Sequence, residues 1–283
     1  MKICFATSEK TLSLTPSDRS LFEAMQRNDM EVSVSAWSDR KINWPEFDVI
    51  IIRSCWDYHL RIGQFNSWLN ELDRLKIKVF NPIEVLRGNL DKKYLGDLQE
   101  KGVRIPTTLW FEAEAKLDCK DILRSQGWQE AVLKPNIGAT AYGVRKISLK
   151  TSENLFIDNN PEFLNGFMVQ KFIPEIETQG EWSIIFFGKE YSHSVIKKTN
   201  RGEFRIQYEY GGSFKPANPA QGVISEARSI LKYYPDNLLY ARIDGVLAGN
   251  KFYLMEAELT EPELFISERV FADRFVSRMR ELL

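Results

Sequence analysis

The sequence predicts an α/β protein whose carboxyl-terminal part is α+β, and three observations carry that prediction. The first 80 or so residues alternate strand and helix signals, as a small parallel α/β unit does. From about residue 88 short strands follow one another as antiparallel pairs. The third is EAELTEPE (256–263), four carboxylates in eight residues directly after the apolar run FYLM. A strand that begins like core and ends in charge marks a place where the sheet can carry chemistry.

In chain order, KICFAT (2–7) reads as the first strand. Thr15-Pro16-Ser17-Asp18 is a helix-start signal, and Leu21, Phe22 and Met25 follow at helical spacing. VSVSAW (32–37) is the second strand. DVIII (48–52) is the third, continuous and β-branched, as in a strand buried on both faces. Phe65, Trp68, Leu69, Leu72 and Leu75 form a helical stripe before the strand KVF (78–80). Ligands of open sheets sit beyond the carboxyl ends of the strands, where this chain has Arg53-Ser54-Cys55-Trp56-Asp57-Tyr58. NLDKKYLGDLQEKG (89–102) predicts one helix closed by Gly102. VRIPTTLWF then leads to the strand AVLKP (131–135) and the small-residue loop NIGATAYG (136–143). VRKISL, FMVQKFI, WSIIFF and YSHSVIKK are alternating short strands, and RIDGVLAGNKFYLMEAEL (242–259) is a hairpin around Ala248-Gly249-Asn250 ahead of a charged helical tail.

Strict alternation through this hairpin puts Arg242 and Asp244 on one face of its first strand and Phe252, Leu254, Glu256 and Glu258 on one face of its second. A turn near Gly249 sets Arg242 roughly opposite Glu256 and turns Met255, Ala257 and Leu259 toward the core. A solvated sheet face with an Arg–Glu pair would look like this. So would an oxygen-only cage for Mg²⁺, and no Lys or Arg between residues 252 and 268 compensates the acids. Lys134 followed by Gly138, Ala139, Thr140, Ala141 and Gly143 suits a loop laid over phosphates, because small residues let backbone N–H groups approach and the lysine supplies charge. An ordinary glycine-containing hairpin remains the alternative, and neither GxxxxGK[ST] nor GxGxxG is matched.

Lys92 in DKKYL, Lys134 in VLKPNIGATAYGV, the segment VQKFI, Glu181 in GEW and RIDG…FYLMEAEL occur in that order over residues 88–266 and resemble the ATP-grasp ligases. The resemblance implies an ATP-grasp fold with an amino-terminal parallel α/β pre-ATP-grasp domain (1–87), a lid subdomain with the glycine loop (88–173) and a carboxyl-terminal subdomain with the Mg²⁺ site (174–283). By that resemblance Lys92 and Lys134, with Gly138, Thr140 and Gly143, contact ATP phosphates. Gln170, Lys171, Phe172 and Ile173 form the adenine hinge, and Glu181 binds the ribose. Asp244, Glu256 and Glu258 hold Mg²⁺, one ion or two, with Mn²⁺ as a substitute. Arg242, together with Arg205 in RGEFRIQYEYGG, neutralises charge on the transferred phosphoryl group or the acyl intermediate. Many of these enzymes have asparagine where this chain has Glu258, so the site gains a negative charge.

RSCWDY, FNSWLNEL, KVFNP and GNLDKKYL resemble the cycloserine-synthetase branch, the O-ureido-serine cyclo-ligases, and GEFRIQYEYGG is similar to glutathione synthetases. This implies that Arg53, Trp56, Asp57 and Tyr58 touch substrate. The alternative keeps Trp56 and Tyr58 in the core and makes Arg53–Asp57 a local ion pair. The implied reaction is ATP- and Mg²⁺-dependent ligation of a carboxylate to an amine through an acyl phosphate, between two small molecules or within one. A catalytically silent ATP-binding regulatory or interaction protein is the reading from another class. Glu261 and Glu263, beyond the strand, are expected to be solvated or to tune the site.

Composition excludes several classes. At 283 residues, 43% hydrophobic, 27% charged and net charge −1, the chain has no basic footprint for nucleic acid. No apolar stretch has membrane-spanning length, and MKICFATSEK lacks the apolar core of a signal peptide, so a cytoplasmic location is expected. Three unevenly spaced cysteines (Cys4, Cys55, Cys119) fit a reducing compartment. Two histidines, His59 and His193, make a histidine-rich zinc site a poor fit. Cys55 is expected to be a small buried hydrophobe. The sequence admits a homodimer without indicating one.

Overall fold

A parallel sheet opens the chain around two strands, KICFAT and VIII, that are buried almost throughout. In the computed structural model, which describes residues 1–150, 156–158, 160–198 and 213–283, β1 (Lys2–Thr7), β2 (Glu31–Ala36), β3 (Val49–Ile52) and β4 (Lys78–Phe80) pair in the order β2-β1-β3-β4. All four residues of β3 are buried, as the DVIII run predicts. Helix α1 (Pro16–Arg27) starts where the sequence signals it: the Thr15 hydroxyl accepts the Asp18 amide at 3.1 Å. Helix α2 (Ile62–Arg74) buries Phe65, Trp68, Leu69 and Leu72 against Trp37, Trp44 and the β-strand residues Ile50 and Ile52.

The helix expected over 89–102 is shorter: α3 (Ile83–Asn89) ends at its first residue, and α4 (Tyr94–Glu100) begins five residues later. The Asp91 carboxylate takes the Lys93 amide at 2.9 Å, and the Lys92 amide reaches the Asn136 carbonyl at 2.9 Å. Those bonds replace intrahelical ones, so Lys92 sits in the break and faces the glycine loop.

β5 (Thr108–Phe111), β7 (Glu130–Pro135), β8 (Arg145–Ser148) and β10 (Phe167–Lys171) form an antiparallel sheet in the order β5-β10-β7-β8. Between them, the short β6 (Leu117–Asp118) and β9 (Phe156–Ile157) pair beside α5 (Cys119–Gln126). After α6 (Glu175–Thr178), a five-stranded antiparallel sheet follows. It comprises β11 (Glu181–Phe187), β12 (Glu190–Lys198), β13 (Ser213–Pro216), β14 (Tyr240–Ala248) and β15 (Lys251–Glu258), ordered β13-β12-β11-β14-β15, with α7 (Gln221–Ile230) and the terminal α8 (Arg269–Leu282). One apolar cluster joins the two ends of the chain: Ile3, Phe5, Leu21 and Met25 pack with Ile185, Phe187, Tyr240, Phe275 and Met279. Asn81, fully buried, ties the same junction by donating to the carbonyls of Tyr240 (2.9 Å) and Leu259 (2.7 Å) and accepting the Leu239 amide (2.7 Å).

Strict alternation fails in the β14–β15 hairpin. Its turn is the two residues Gly249 and Asn250, both with positive φ, the conformation that a tight primed turn requires. The register then slips: Gly245 pairs with Leu254 but Asp244 pairs with Glu256, leaving Met255 as the extra residue of a bulge. The slip exchanges the two faces. Phe252 and Leu254 join Ala257 and Leu259 in the core, whereas Met255, Glu256 and Glu258 line the cleft. Arg242 therefore stands opposite Glu258, not Glu256, and Met255 does not point to the core as alternation alone suggests. No helix among the described residues is long and apolar enough to cross a membrane.

Candidate active site

The third sheet, the glycine loop and the carboxyl ends of the first sheet enclose a cleft of about 860 Å³. On its floor β14 and β15 supply Arg242, Asp244, Glu256 and Glu258, and β11 and β12 supply Glu181 and Lys197. Asp244, 2% exposed, is surrounded by donors. The Ser183 hydroxyl reaches it at 2.7 Å, the Lys197 ammonium at 2.8 Å, and the Arg242 guanidinium makes three contacts of 3.0 to 3.2 Å. Burial raises the Asp244 carboxyl, but Arg242 and Lys197 outweigh it and hold it near a pKa of about 2. Arg242 also pairs with Glu258. Burial and the neighbouring Glu256 and Asp244 push Glu258 up to about 7 despite that arginine.

Lys197 bridges Asp244 and Glu181, the latter at 2.6 Å. Burial raises the Glu181 carboxyl and lowers the Lys197 ammonium; for the lysine, Asp244 and Glu181 reverse the sign and leave it raised. Lys197 and Ser183 escaped sequence reasoning. The signal was cross-strand pairing: Glu181 lies opposite Lys197, and Ser183 opposite Asp244, but neither register is visible in a lone strand.

Lys92 contacts Glu256 at 3.0 Å and donates to the Gly138 carbonyl at 2.7 Å, tying the glycine loop to the floor. Lys134 donates to the Gln170 side chain at 3.1 Å. Burial lowers its ammonium, against the pull of Glu256 and Glu181. In the loop, Thr140, Ala141 and Gly143 all have positive φ, and a Cβ on Gly143 would lie 2.9 Å from Glu162 Cβ. Gly138, Thr140, Gln170, Lys171, Phe172 and Ile173 line the cleft, and Gly143 does not. The Gln170 amide is spent inside the sheet, donating to Thr108 at 3.0 Å, so backbone and the faces of Phe172 and Ile173 are what this hinge offers a ligand.

The four residues after β3 separate. Trp56 and Tyr58 line the cleft; Arg53 and Asp57 do not. Arg53, 1% exposed, pairs with Asp18 at 2.7 Å and donates to the Pro262 carbonyl at 2.8 Å, and Asp57 accepts from the Trp37 indole at 2.8 Å and pairs with Arg61. The expected substrate contacts of Arg53 and Asp57 are thus replaced by structural ones, and the two residues do not pair with each other. Arg205 lies outside the described residues. Cys55 is buried, and burial pushes its thiol well above the usual range. Glu261 and Glu263 are not out in solvent: both line the cleft, and Glu261 is 8% exposed. Burial, then the nearby Glu258, raises its carboxyl well above the ordinary range.

The donor set decides what a cation would find here. Among the described residues no group of three or more His, Cys, Asp or Glu side chains is arranged to hold a metal. Both oxygens of Asp244 are already bonded, so its service as a ligand requires release by Arg242 or Lys197. Glu256 and Glu258, two residues apart on one face, each have one basic partner and fit Mg²⁺, which takes one or two carboxylates and completes its shell with phosphate and water.

Residues 3–81 match the model of the D-cycloserine synthetase DcsG N-terminal domain. The cycloserine biosynthesis protein DcsG of Streptomyces lavendulae is 27% identical over 182 residues, an alignment spanning 62% of this chain and 60% of the relative's length. The crystal structure of D-cycloserine synthetase DcsG superposes with a TM-score of 0.79 at 21% identity, covering 99% of both chains. D-alanine–D-alanine ligase from Bacillus anthracis complexed with ATP gives 0.66 at 15% identity, covering 100% of this chain and 97% of the other. The ATP-grasp ligase PsnB complexed with a phosphomimetic variant of its minimal precursor, Mg and ADP gives 0.65 at 11% identity, covering 99% and 98%. Likeness at these identities is likeness of fold, and it extends over both the parallel unit and the two antiparallel sheets: the chain has the fold of the ATP-grasp ligases and is similar along its length to D-cycloserine synthetase DcsG.

Proposed function

We propose that this chain is an ATP- and Mg²⁺-dependent carboxylate–amine ligase acting on a small amino-acid or peptide-like substrate. One observation carries the reading: within an ATP-grasp fold, Arg242, Glu256 and Glu258 share a cleft with Lys92, Lys134 and a small-residue loop. Lys92 and Lys134 exchange their present partners, Glu256, the Gly138 carbonyl and Gln170, for phosphate oxygens. A phosphate dianion offers Lys134 in particular the counter-charge that its burial lacks. Glu256 and Glu258 would hold Mg²⁺, which would supply charge neutralisation for the phosphates. Asp244 positions Arg242, whose charge is held firmly: burial lowers its pKa, but Asp244 and Glu258 more than restore it. A substrate carboxylate attacks the γ-phosphoryl group of ATP in line and ADP leaves. The amine then attacks the acyl carbon and phosphate departs with the C–O electron pair. Positioning and electrostatics supply most of such catalysis, and the glycine loop keeps water out while the acyl phosphate exists.

The lid (88–173) and carboxyl-terminal (174–283) units are assigned the nucleotide, and the 1–87 unit the acceptor side. Similarity to D-cycloserine synthetase favours a variant in which both reacting groups sit on one molecule. The test is ADP release screened against amino acids, dipeptides and ureido-amino acids with Mg²⁺, with hydroxylamine added to trap the acyl phosphate as a hydroxamate. Turnover that depends on one substrate class, a trapped hydroxamate, and loss of activity in Glu256→Ala with the fold intact are expected. Full activity in Glu256→Ala would sink the metal assignment. Tight ATP binding without turnover across the panel favours the silent regulatory reading.

A further inference from the structure

Among the described residues six carboxylates line the cleft, and five are answered by a donor. Glu181 pairs with Lys197, Glu256 with Lys92, Glu258 with Arg242, Asp244 with both Arg242 and Lys197, and Glu263 accepts the Phe265 amide at 2.8 Å. The sixth is Glu261. It is 8% exposed, yet among the described residues its carboxyl group has neither an ion pair nor a hydrogen bond, and it lines the cleft. A buried carboxylate without a partner is costly, and a fold that keeps one open toward a cavity has a place for an incoming donor.

The backbone around it is held at every step. The Tyr240 hydroxyl lies 2.9 Å from the Thr260 carbonyl, and the Trp56 indole donates to the Glu261 carbonyl at 3.1 Å. Arg53 donates to the Pro262 carbonyl at 2.8 Å and Arg242 to the Glu263 carbonyl at 3.1 Å. Four consecutive carbonyls are therefore pinned by four different side chains, and Glu261 is the residue whose side chain is left over. Two aromatic residues share that wall: Trp56, bonded to the Glu261 carbonyl, and buried Tyr58, whose hydroxyl pKa is raised by burial and then by the Glu261 charge.

We infer that Glu261, with Trp56 and Tyr58, forms a subsite that receives a protonated amino group of the substrate. The inference rests on the ligase reading and narrows its substrate class to carboxylates that carry a primary ammonium. Carboxylate beside aromatic side chains suits an organic ammonium, which donates hydrogen bonds to the one and gains cation–π attraction from the other. The pinned loop fixes the carboxyl group before substrate arrives, which limits the ordering cost of binding.

The test is melting temperature of the Mg·ADP complex, for the wild type and Glu261→Gln, titrated with amino acids of both hands and with their deaminated counterparts (alanine against propionate, serine against 3-hydroxypropionate). Amino acids are expected to stabilise the wild type and the deaminated acids not. Glu261→Gln should weaken the amino-acid response by roughly 10- to 100-fold in apparent Kd, the range of one charged hydrogen bond, with Glu261→Asp restoring part of it. The response to Mg·ADP alone should be unchanged. An equal response to the deaminated acids, an unaltered amino-acid affinity in Glu261→Gln, or no amino-acid response in a protein that does respond to Mg·ADP overturns the subsite. So does loss of Mn²⁺ binding in Glu261→Gln, read by electron paramagnetic resonance, which would make Glu261 a metal ligand. A wild type that ignores Mg·ADP and turns nothing over overturns the ligase reading itself, and the subsite with it. If Glu261→Gln fails to fold, Trp56→Phe, which removes one pin, should weaken the amino-acid response in the same direction.

Discussion

Lys197 shows most clearly how a single residue holds the floor of the cleft. It sits between two buried carboxylates, and taking it away leaves both charges without their shared counter-ion. Lys197→Met should lower stability by about 3–5 kcal/mol, measured by urea unfolding, because breaking a buried pair costs more than the pair itself contributes. His193 makes a different residue-scale prediction. Its ring stacks on Phe271 at 4.0 Å, its Nε2 bonds the Leu264 carbonyl at 2.8 Å, and burial lowers its pKa to about 4. A histidine charged more readily when unfolded stabilises the fold fully above about pH 6.5, and that contribution is lost as pH falls toward 4. The loss attributable to this residue is about 3 kcal/mol, and His193→Gln should flatten that part of the pH–stability curve. Arg53 and Asp57 carry the lesson in reverse: four positions apart in RSCWDY, they face different partners, Asp18 and Arg61.

Among the elements, the β14–β15 hairpin decides the site. A period of two assigns one face to Phe252, Leu254, Glu256 and Glu258; the bulge at Met255 divides that set into two core residues and two cleft residues. Gly245, beside the bulge, has the Phe252 ring over it, and a Cβ there would lie 2.1 Å from the ring. Gly245→Ala should therefore cost about 1–3 kcal/mol by overpacking and, by displacing β15, reduce ADP release more than the stability loss alone explains. The comparison to make is activity at a temperature where the variant is fully folded by circular dichroism. Helices α3 and α4 illustrate the same limit. The stretch 89–102 reads as one helix, and the break that presents Lys92 depends on a bond to Asn136, 44 positions along the chain in the loop after β7.

At the level of the whole molecule, the two ends of the chain share one core. β1, β3 and α1 pack against β11, β14 and α8, so the 1–87 unit lacks part of its apolar cover when alone. The fragment 1–87 is expected to be largely unfolded by amide-proton dispersion. The intact chain should lose the tryptophan signal of the 1–87 unit and the far-ultraviolet signal of the third sheet in one transition. Two separate transitions would show that the shared core contributes little.

By itself the sequence determined the parallel unit, the antiparallel half, the α1 cap and the order of motifs leading to an ATP-grasp fold, because those depend on local periodicity and turn chemistry. Local pattern also gathered Arg242, Asp244, Glu256 and Glu258 on one hairpin, and the resemblance to ATP-grasp ligases implied that Lys92 and Lys134 join them. Tertiary structure alone decided which carboxylates have partners. Cross-strand register joined Lys197 to Glu181 and Asp244, a bulge turned Glu256 and Glu258 into the cleft, and a pinned loop buried Glu261 instead of leaving it in water. Register and burial are set by residues far apart in the chain, and no short window of sequence contains both partners.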